Sequence, residues 1–309
     1  MSTGVLCALG ESYADDLNYL IVTGVKCGIA VIACVGFIIV NYYQRLTSIF
    51  HPNARLILKF HIGFVLCALA GTFLGDGYNL LNLTIFRHFN LQKACSVPLL
   101  SPYFSLIRIF KILGFDGTTF TATAWSLERI YATVFINSYE NKKNGLGWIL
   151  CGIATTVTLG ASTVRVALGD YSKPMPVMML TGTSYNFNMV LQNICVFLEL
   201  FNVFTFSVLF VINRRRLKKA SRIECSLTSK YQIRENVLAT SLIFPLALLH
   251  WMAYFPIAII MPIITRKGLS PFERVVLFAN TDWLIVYCIA LPLLLWWRNG
   301  VKRYWRRPL

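Results

Sequence analysis

The sequence predicts an all-α membrane protein, a bundle of seven transmembrane helices with its amino terminus outside and its carboxy terminus in the cytosol. Three observations lead to that prediction. Of 309 residues, 56% are hydrophobic and only 14% charged, and the apolar residues come in blocks of about twenty, the length a helix needs to cross the hydrocarbon core. The blocks run without period-2 alternation, so the backbone, which finds no partners in lipid, closes its hydrogen bonds as helices and not as a barrel. Lys and Arg fall on alternate loops, nineteen on one side of the bundle and six on the other, which orients the chain by the positive-inside rule.

A formal charge of +16 would suggest nucleic acid in a soluble chain. Here its placement is topological, and no nucleic-acid partner is expected. The nine cysteines are scattered without a CxxC pair, so neither a zinc site nor a disulfide framework is signalled, and no metal or cofactor is expected. HExxH, GxSxG and P-loop patterns do not occur, and no helix face pairs the carboxylates a hydrolase needs. An enzyme is not expected.

The chain reads as one domain over 1–309. Residues 1–19 lack Lys and Arg and carry Glu11, Asp15 and Asp16, unlike the basic start of a signal peptide, so no cleavage is expected. The first span covers about residues 19–42 and the second about 56–78. The only N-x-[ST] sequon follows at Asn82-Leu83-Thr84, which predicts a lumenal loop with a glycan on Asn82. The third span, about 103–133, organises the rest. It ends in Leu127-Glu128-Arg129-Ile130-Tyr131, and being longer than a bilayer is thick it must tilt or project. The fourth span covers about 148–168. A loop with Pro174, Pro176 and Gly182 leads to the fifth, about 189–212, which halts at Arg214, Arg215, Arg216, Lys218 and Lys219. These basic residues anchor the cytosolic end and can meet anionic lipid. The sixth span, about 237–262, holds Pro245 and Pro256, and the seventh, about 275–297, holds Pro292; each proline is expected to kink its helix. Arg298, Lys302, Arg303, Arg306 and Arg307 around Tyr304 and Trp305 read as an amphipathic segment on the inner leaflet.

Once the loops are assigned, Lys26, Asp76, Arg108, Lys111, Asp116, Arg165, Glu199 and Asp282 are left inside or at the edge of spans. A charge near the bilayer centre costs at least about 2.5 to 3.5 kcal/mol on insertion scales, so such groups face the bundle interior, a water cavity or each other. Glu199 and Asp282 both sit roughly 20 Å above the cytosolic boundary at the helical rise. All eight therefore fit a polar vestibule in the outer half, with His250 at a similar depth. Lys111 and Arg129, eighteen positions apart, share one helix face at 100° per residue. The competing reading is that Lys26, Asp76 and Arg165 snorkel to the outer interface. His250 can be a proton-sensitive vestibule group or a hydrogen-bonded core residue. The mixed signs suit a small polar or zwitterionic ligand between walls from Phe110, Phe115, Tyr185, Trp251 and Tyr254. From another class, a seven-helix transporter or channel would route ions through these charges, but they thin out below Asp116 and no internal repeat is visible.

Glu128-Arg129-Ile130-Tyr131 at the end of a third span resembles the (D/E)R(Y/F) signature of G-protein-coupled receptors. It extends to Tyr139-Glu140-Asn141, similar to the "ER..AT....YEN" run of nematode serpentine chemoreceptors. Before the sixth span, Ser226-Leu227-Thr228-Ser229-Lys230-Tyr231-Gln232-Ile233-Arg234-Glu235-Asn236 resembles the "LS.RYQ..EN" signature of the Sra superfamily (Sra, Srab, Srb, Sre), with Sre slightly favoured. The resemblance implies a chemosensory receptor at the plasma membrane, in a sensory cilium for example, that binds a small molecule or peptide and signals to a heterotrimeric G protein. It implies that Arg129 is held at rest by Glu128 or a neighbouring helix, and that Arg214, Arg215, Arg216, Lys218, Lys219, Tyr231, Gln232, Glu235 and Asn236 face the G protein. The bland alternative for Glu128-Arg129 is an interfacial charge pair that only ends the span. The sequence departs from rhodopsin-like receptors in lacking Asn-Pro-x-x-Tyr, with Ala290-Leu291-Pro292 in the seventh span, and in having Leu249-His250-Trp251-Met252 in the sixth. The disulfide usual on the outer side is open: Cys95 can pair with Cys7 or Cys195, or stay free.

Overall fold

In the computed structural model the described residues, 3–42, 50–91, 95–139, 145–169, 174–177, 185–220, 227–266 and 268–305, are almost wholly helical. Helix α1 (Thr3–Asp15) is followed by α2 (Leu17–Tyr42) and α3 (Pro52–Gly71). Pro52 supplies the preset φ of a first helical residue, and the His51 side chain accepts from the Asn53 amide at 3.4 Å. The helix does not stop at Tyr78. It passes through a π-helical turn (Thr72–Asp76), α4 (Gly77–Leu81), a second π-helical turn (Asn82–Phe86) and α5 (Arg87–Asn90), so the sequon lies inside helical structure and not in a loop. π-turns absorb extra residues without breaking the helix, a feature the apolar pattern does not reveal.

A 3₁₀ turn (Pro102–Arg108) opens into α6 (Ile109–Val134), and α7 (Ile136–Tyr139), α8 (Gly145–Ala167) and α9 (Tyr185–Ala220) follow. Helix α10 (Leu227–Arg266) continues through both Pro245 and Pro256. The seventh apolar block is not one helix. Helix α11 (Pro271–Thr281), opened by a capping box between Ser270 and Glu273, ends at Asp282, and α12 (Leu284–Trp305) starts afresh after an extended residue with φ −78° and ψ 90°. The basic segment from residue 298 to 305 continues α12, with its side chains outside the described residues; 306–309 lie outside them altogether.

Six helical stretches among the described residues are long and apolar enough to cross a membrane. The exception is α6, which carries Lys111, Asp116, Glu128, Arg129 and a run of threonines. Its polar residues are covered by the other helices instead of lipid: Asp116, Thr118, Thr119, Thr121, Ser126, Glu128 and Arg129 are all at most 1% exposed. Helix α3 lies so close to α6 that a Cβ on Gly71 would fall on the Lys111 backbone, one on Gly114 on the Ala68 backbone, and one on Gly117 on the Phe64 ring. Small residues permit this approach, as in other membrane helix pairs.

One end of the bundle is closed by α1. A disulfide joins Cys7 to Cys95, which resolves the open pairing; Cys195 is a free, buried thiol. Leu100 and Met175 exchange backbone hydrogen bonds at 2.6 and 2.9 Å, and the Tyr13 hydroxyl donates to the Pro271 carbonyl at 3.1 Å. Tyr13, Tyr19, Leu83, Val97 and Val177 form a small core beneath this end.

Candidate functional site

At the end of the bundle opposite the disulfide, α6 presents Glu128 and Arg129, 0% and 1% exposed. Arg129 Nε donates to Glu128 Oε2 at 2.5 Å, and its Nη2 pairs with Glu128 Oε1. The guanidinium has two further partners. Its Nη1 donates to Asn236 Oδ1 of α10 at 3.3 Å, and Nη2 to the Tyr139 hydroxyl of α7 at 3.1 Å. Tyr139 in turn donates to Glu128 Oε1. Asn236 also donates to the Ala132 carbonyl at 3.2 Å, so one amide bonds both the arginine and the last turn of α6. The His51 ring lies 4.1 Å from that of Tyr139. Burial pushes the Tyr139 phenol well above its ordinary value, which keeps it a neutral donor. Burial also lowers His51, to about 4, so it is neutral beside the arginine at physiological pH.

Toward the other end, the intramembrane charges separate into two groups. In the first, Asp76 takes Lys111 at 2.7 Å and Arg108 at 3.2 Å, while Asp282 takes Lys111 at 2.7 Å and Lys26 at 3.7 Å. Asp282 is available because α11 ends there. Lys26 also donates to the Ala279 carbonyl in the last turn of α11, where a cation complements the helix dipole. Lys26 and Asp76 are therefore buried and paired instead of snorkelling.

The second group lies between α6, α8, α9 and α10. Arg165 approaches Asp116 at 2.9 and 3.3 Å, and His250 Nδ1 approaches Glu199 Oε2 at 2.9 Å. His250 Nε2 is 3.0 Å from Thr118 Oγ1. His61 of α3, which the sequence reading passed over, is 2.8 Å from Thr121 and 2.5 Å from the Tyr287 hydroxyl. Further along α6, Ser126 donates to Asn202 at 2.8 Å, and Asn202 to Thr123 at 3.2 Å. Polar contacts thus line α6 from the first charge group to Arg129.

The model of the "Serpentine type 7TM GPCR receptor class ab chemoreceptor" family matches residues 7–305. The chain belongs to the serpentine chemoreceptor family. It is 30% identical over 202 residues to "Serpentine receptor class beta-16" of Caenorhabditis elegans, covering 63% of this chain and 56% of that relative. It is 24% identical over 270 residues to "Serpentine receptor class epsilon-1" of the same nematode, covering 85% and 70%. The matching model is of class ab, where the motifs alone leaned to the epsilon class. A serpentine chemoreceptor is a multi-pass membrane receptor and not an enzyme.

In this receptor the residues expected to face a G protein divide. Arg214, Arg215, Arg216, Lys218 and Lys219 are exposed along α9, Arg214 over the Phe210 ring at 4.6 Å. Arg216 Nη1 donates at 2.5 Å to the Thr133 carbonyl near the end of α6. Gln232 and Asn236 are buried, at 4% and 2%; they hold the interior, and Asn236 belongs to the Arg129 network. Glu235 is half-buried, and the Tyr231 side chain lies outside the described residues. Asn82 is fully buried, with its side-chain nitrogen donating to the Pro98 and Pro176 carbonyls at 3.0 Å each. A glycan on that nitrogen is incompatible with this packing. Of the expected ligand walls, Phe115 and Tyr254 meet at 4.4 Å, while Phe110 is 44% exposed; the Tyr185 side chain lies outside the described residues. In the sequence Tyr139 figures only as part of a family run, and the structure adds it as a partner of Arg129 and Glu128.

Proposed function

We propose that this chain is a chemosensory receptor that binds a small extracellular ligand among its intramembrane polar groups and signals to a heterotrimeric G protein by releasing Arg129. The observation that carries the reading is the closed network of Glu128, Arg129, Tyr139 and Asn236, which ties α6 to α7 and α10. Both family runs, Tyr139-Glu140-Asn141 and Glu235-Asn236, contribute a residue to it.

The physics is that of a bistable element. Removing one partner from a buried ion pair typically costs about 3 to 5 kcal/mol, so the arginine stays latched until the helices around it move. A ligand biases that movement only by its differential affinity for the two arrangements. The lysine and arginine excess, nineteen against six, supports an orientation with α1 outside and the Arg129 end in the cytosol of the plasma membrane. Arg214, Arg215 and Lys219 then face the G protein or anionic lipid.

The test is signalling in a cell with a promiscuous G-protein reporter, with pooled small polar metabolites applied to wild type and Arg129→Ala at equal surface density. The reading predicts an evoked signal that Arg129→Ala abolishes. An evoked signal of equal size in the variant would rule out the latch as the output. A silent receptor that passes current would favour transport.

A further inference from the structure

We propose that the polar nest between α6, α8, α9 and α10 is the ligand site, and that it takes a small molecule bearing a protonated amine beside an oxygen acceptor. This rests on the receptor reading above and gives its ligand a chemical class.

The two charge groups differ in completeness. In the first, both carboxylates are matched by cations at hydrogen-bonding or ion-pair distance, and none of Lys26, Asp76, Arg108, Lys111 or Asp282 has a buried polar atom without a hydrogen bond. That group is closed. In the nest, Glu199 Oε1, Gln192 Nε2, Arg165 Nε, Ser162 Oγ and Thr119 Oγ1 have no hydrogen-bond partner. Each belongs to a residue no more than 8% exposed. Asp116 Oδ2 and Glu199 Oε2 are 2.9 Å from Arg165 Nη1 and His250 Nδ1, yet neither approach has hydrogen-bond alignment. Buried polar groups in native proteins are almost always satisfied, so a nest of orphaned atoms points to a missing partner.

The contacts of Arg165 with Asp116, of His250 with Glu199 and Thr118, and of Tyr254 with Gln192 bring the four helices together here, and helical spacing puts the polar atoms on one face of each helix. Asp116 and Thr119 are one turn apart on α6, Ser162 and Arg165 on α8, Gln192, Cys195 and Glu199 on α9, and His250 and Tyr254 on α10. The Tyr254 hydroxyl donates to Gln192 Oε1 at 3.2 Å, and Cys195 and Tyr254 share a buried cluster with Phe115 and Ala161.

The donor and acceptor inventory sets the ligand class. Asp116 faces the Arg165 guanidinium and Glu199 the His250 imidazole, which does not aim its N–H at Glu199. An ammonium group, with three donors and no acceptor, fits the free carboxylate oxygens. Gln192 Nε2 and Arg165 Nε are donors without acceptors, which an oxygen on the same ligand would meet. Phe115, Phe187 and Tyr254 pack into one apolar cluster beside these polar atoms, a surface that suits an aromatic or aliphatic body.

The test uses the purified full-length receptor and probes that differ at one group: 2-amino-1-phenylethanol, 1-phenyl-1,2-ethanediol and mandelate, with ethanolamine and 2-phenylethylamine as smaller and hydroxyl-free amines. The expected result is a thermal unfolding midpoint raised by the amines and not by the diol or mandelate. Glu199→Gln should raise the half-saturating amine concentration at least about tenfold, the loss of one charge-assisted hydrogen bond. Gln192→Leu should weaken 2-amino-1-phenylethanol but leave 2-phenylethylamine unchanged, which keeps the test decisive if Glu199→Gln fails to fold. Stabilisation by the diol or mandelate equal to that by the amines would overturn the proposal. So would the absence of any amine effect on wild type, which would mean that the nest holds only water. Neither failure touches the receptor reading, whose ligand-free test is the basal signal of Glu128→Gln.

Discussion

Asn236 accepts a hydrogen bond from Arg129 Nη1 at 3.3 Å across 107 positions of sequence. The same side chain donates to the Ala132 carbonyl at 3.2 Å, so an amide on α10 fastens both the arginine and the backbone three residues beyond it on α6. Separation of α10 from α6 would break both bonds at once. This gives Asn236→Ala a definite expectation: basal signalling should rise, and because a hydrogen bond to a charged group contributes about 1.5 to 3 kcal/mol, the rise should reach about tenfold where the resting state dominates. Reporter output at matched surface density measures it.

Tyr139→Phe removes a hydroxyl that accepts from Arg129 and donates to Glu128, while the ring keeps its contact with His51. The expected effect is in the same direction as Asn236→Ala, since each variant removes two hydrogen bonds of the network and leaves the direct Glu128–Arg129 pair. If Tyr139→Phe and Asn236→Ala raise basal signal, the double variant should exceed either, because the two side chains hold the arginine from different elements.

His51 provides a pH test on the same network. Burial lowers its ordinary value of 6.5 to about 4, so the resting structure holds the imidazole neutral. A base with a lowered pKa stabilises the state that contains it above its ordinary value, and that contribution is lost as pH falls from about 6.5 toward 4. Acidifying the Arg129 side of isolated membranes from pH 7 to 5.5 should therefore loosen the latch in wild type, and His51→Phe should remove that pH dependence. The readout is nucleotide exchange on an added G protein, corrected for the G protein's own pH response.

Close approach of α3 and α6 makes a contrasting pair of substitutions. A Cβ at Gly114 would fall on the Ala68 backbone, whereas Gly160 on α8 has nothing within 4 Å. Gly114→Val should force the two helices apart at a cost of at least about 1 to 3 kcal/mol and deplete the receptor from the surface. Gly160→Ala should leave surface abundance unchanged or slightly higher. Flow cytometry on an epitope-tagged chain checks both.

Burial of Asn82 and the two carbonyls on its nitrogen predict that the mature receptor carries no glycan there. Digestion with an N-glycosidase should leave its mass unchanged. A mass decrease that Asn82→Gln removes would mean that the helix around residues 82–86 is open when the sequon meets the glycosylation machinery.

Apolar block length and the position of Glu128-Arg129 made the helical bundle and its central helix legible, because lipid demands long apolar helices and tolerates charge only where protein or water covers it. The break at Asp282 was not legible. Residues 275–297 read as one span despite the polar run Asn280-Thr281-Asp282, whereas α11 ends at Thr281 and its cap residue Asp282 turns to Lys111 and Lys26, a tertiary contact that hydropathy does not show. Depth along a helix can be read from sequence, which placed Asp116, Glu199 and Asp282 together in one vestibule; azimuth relative to other helices cannot, and the structure divides them into two groups. The family resemblance implies that Gln232 and Asn236 face a G protein, whereas the structure buries both. Their burial follows from α10 extending a full ten residues before residue 237, which brings them alongside the last turns of α6.

The central claim is that the buried Glu128–Arg129 pair holds this receptor at rest. Its most direct measurement is ligand-free G-protein signal from Glu128→Gln and wild type at equal surface density, with Glu128→Gln/Arg129→Ala as the control. The account predicts a several-fold rise in Glu128→Gln that the second substitution abolishes. A basal signal equal to wild type from a surface-expressed Glu128→Gln would contradict it, leaving the pair as no more than a charged end to the third span.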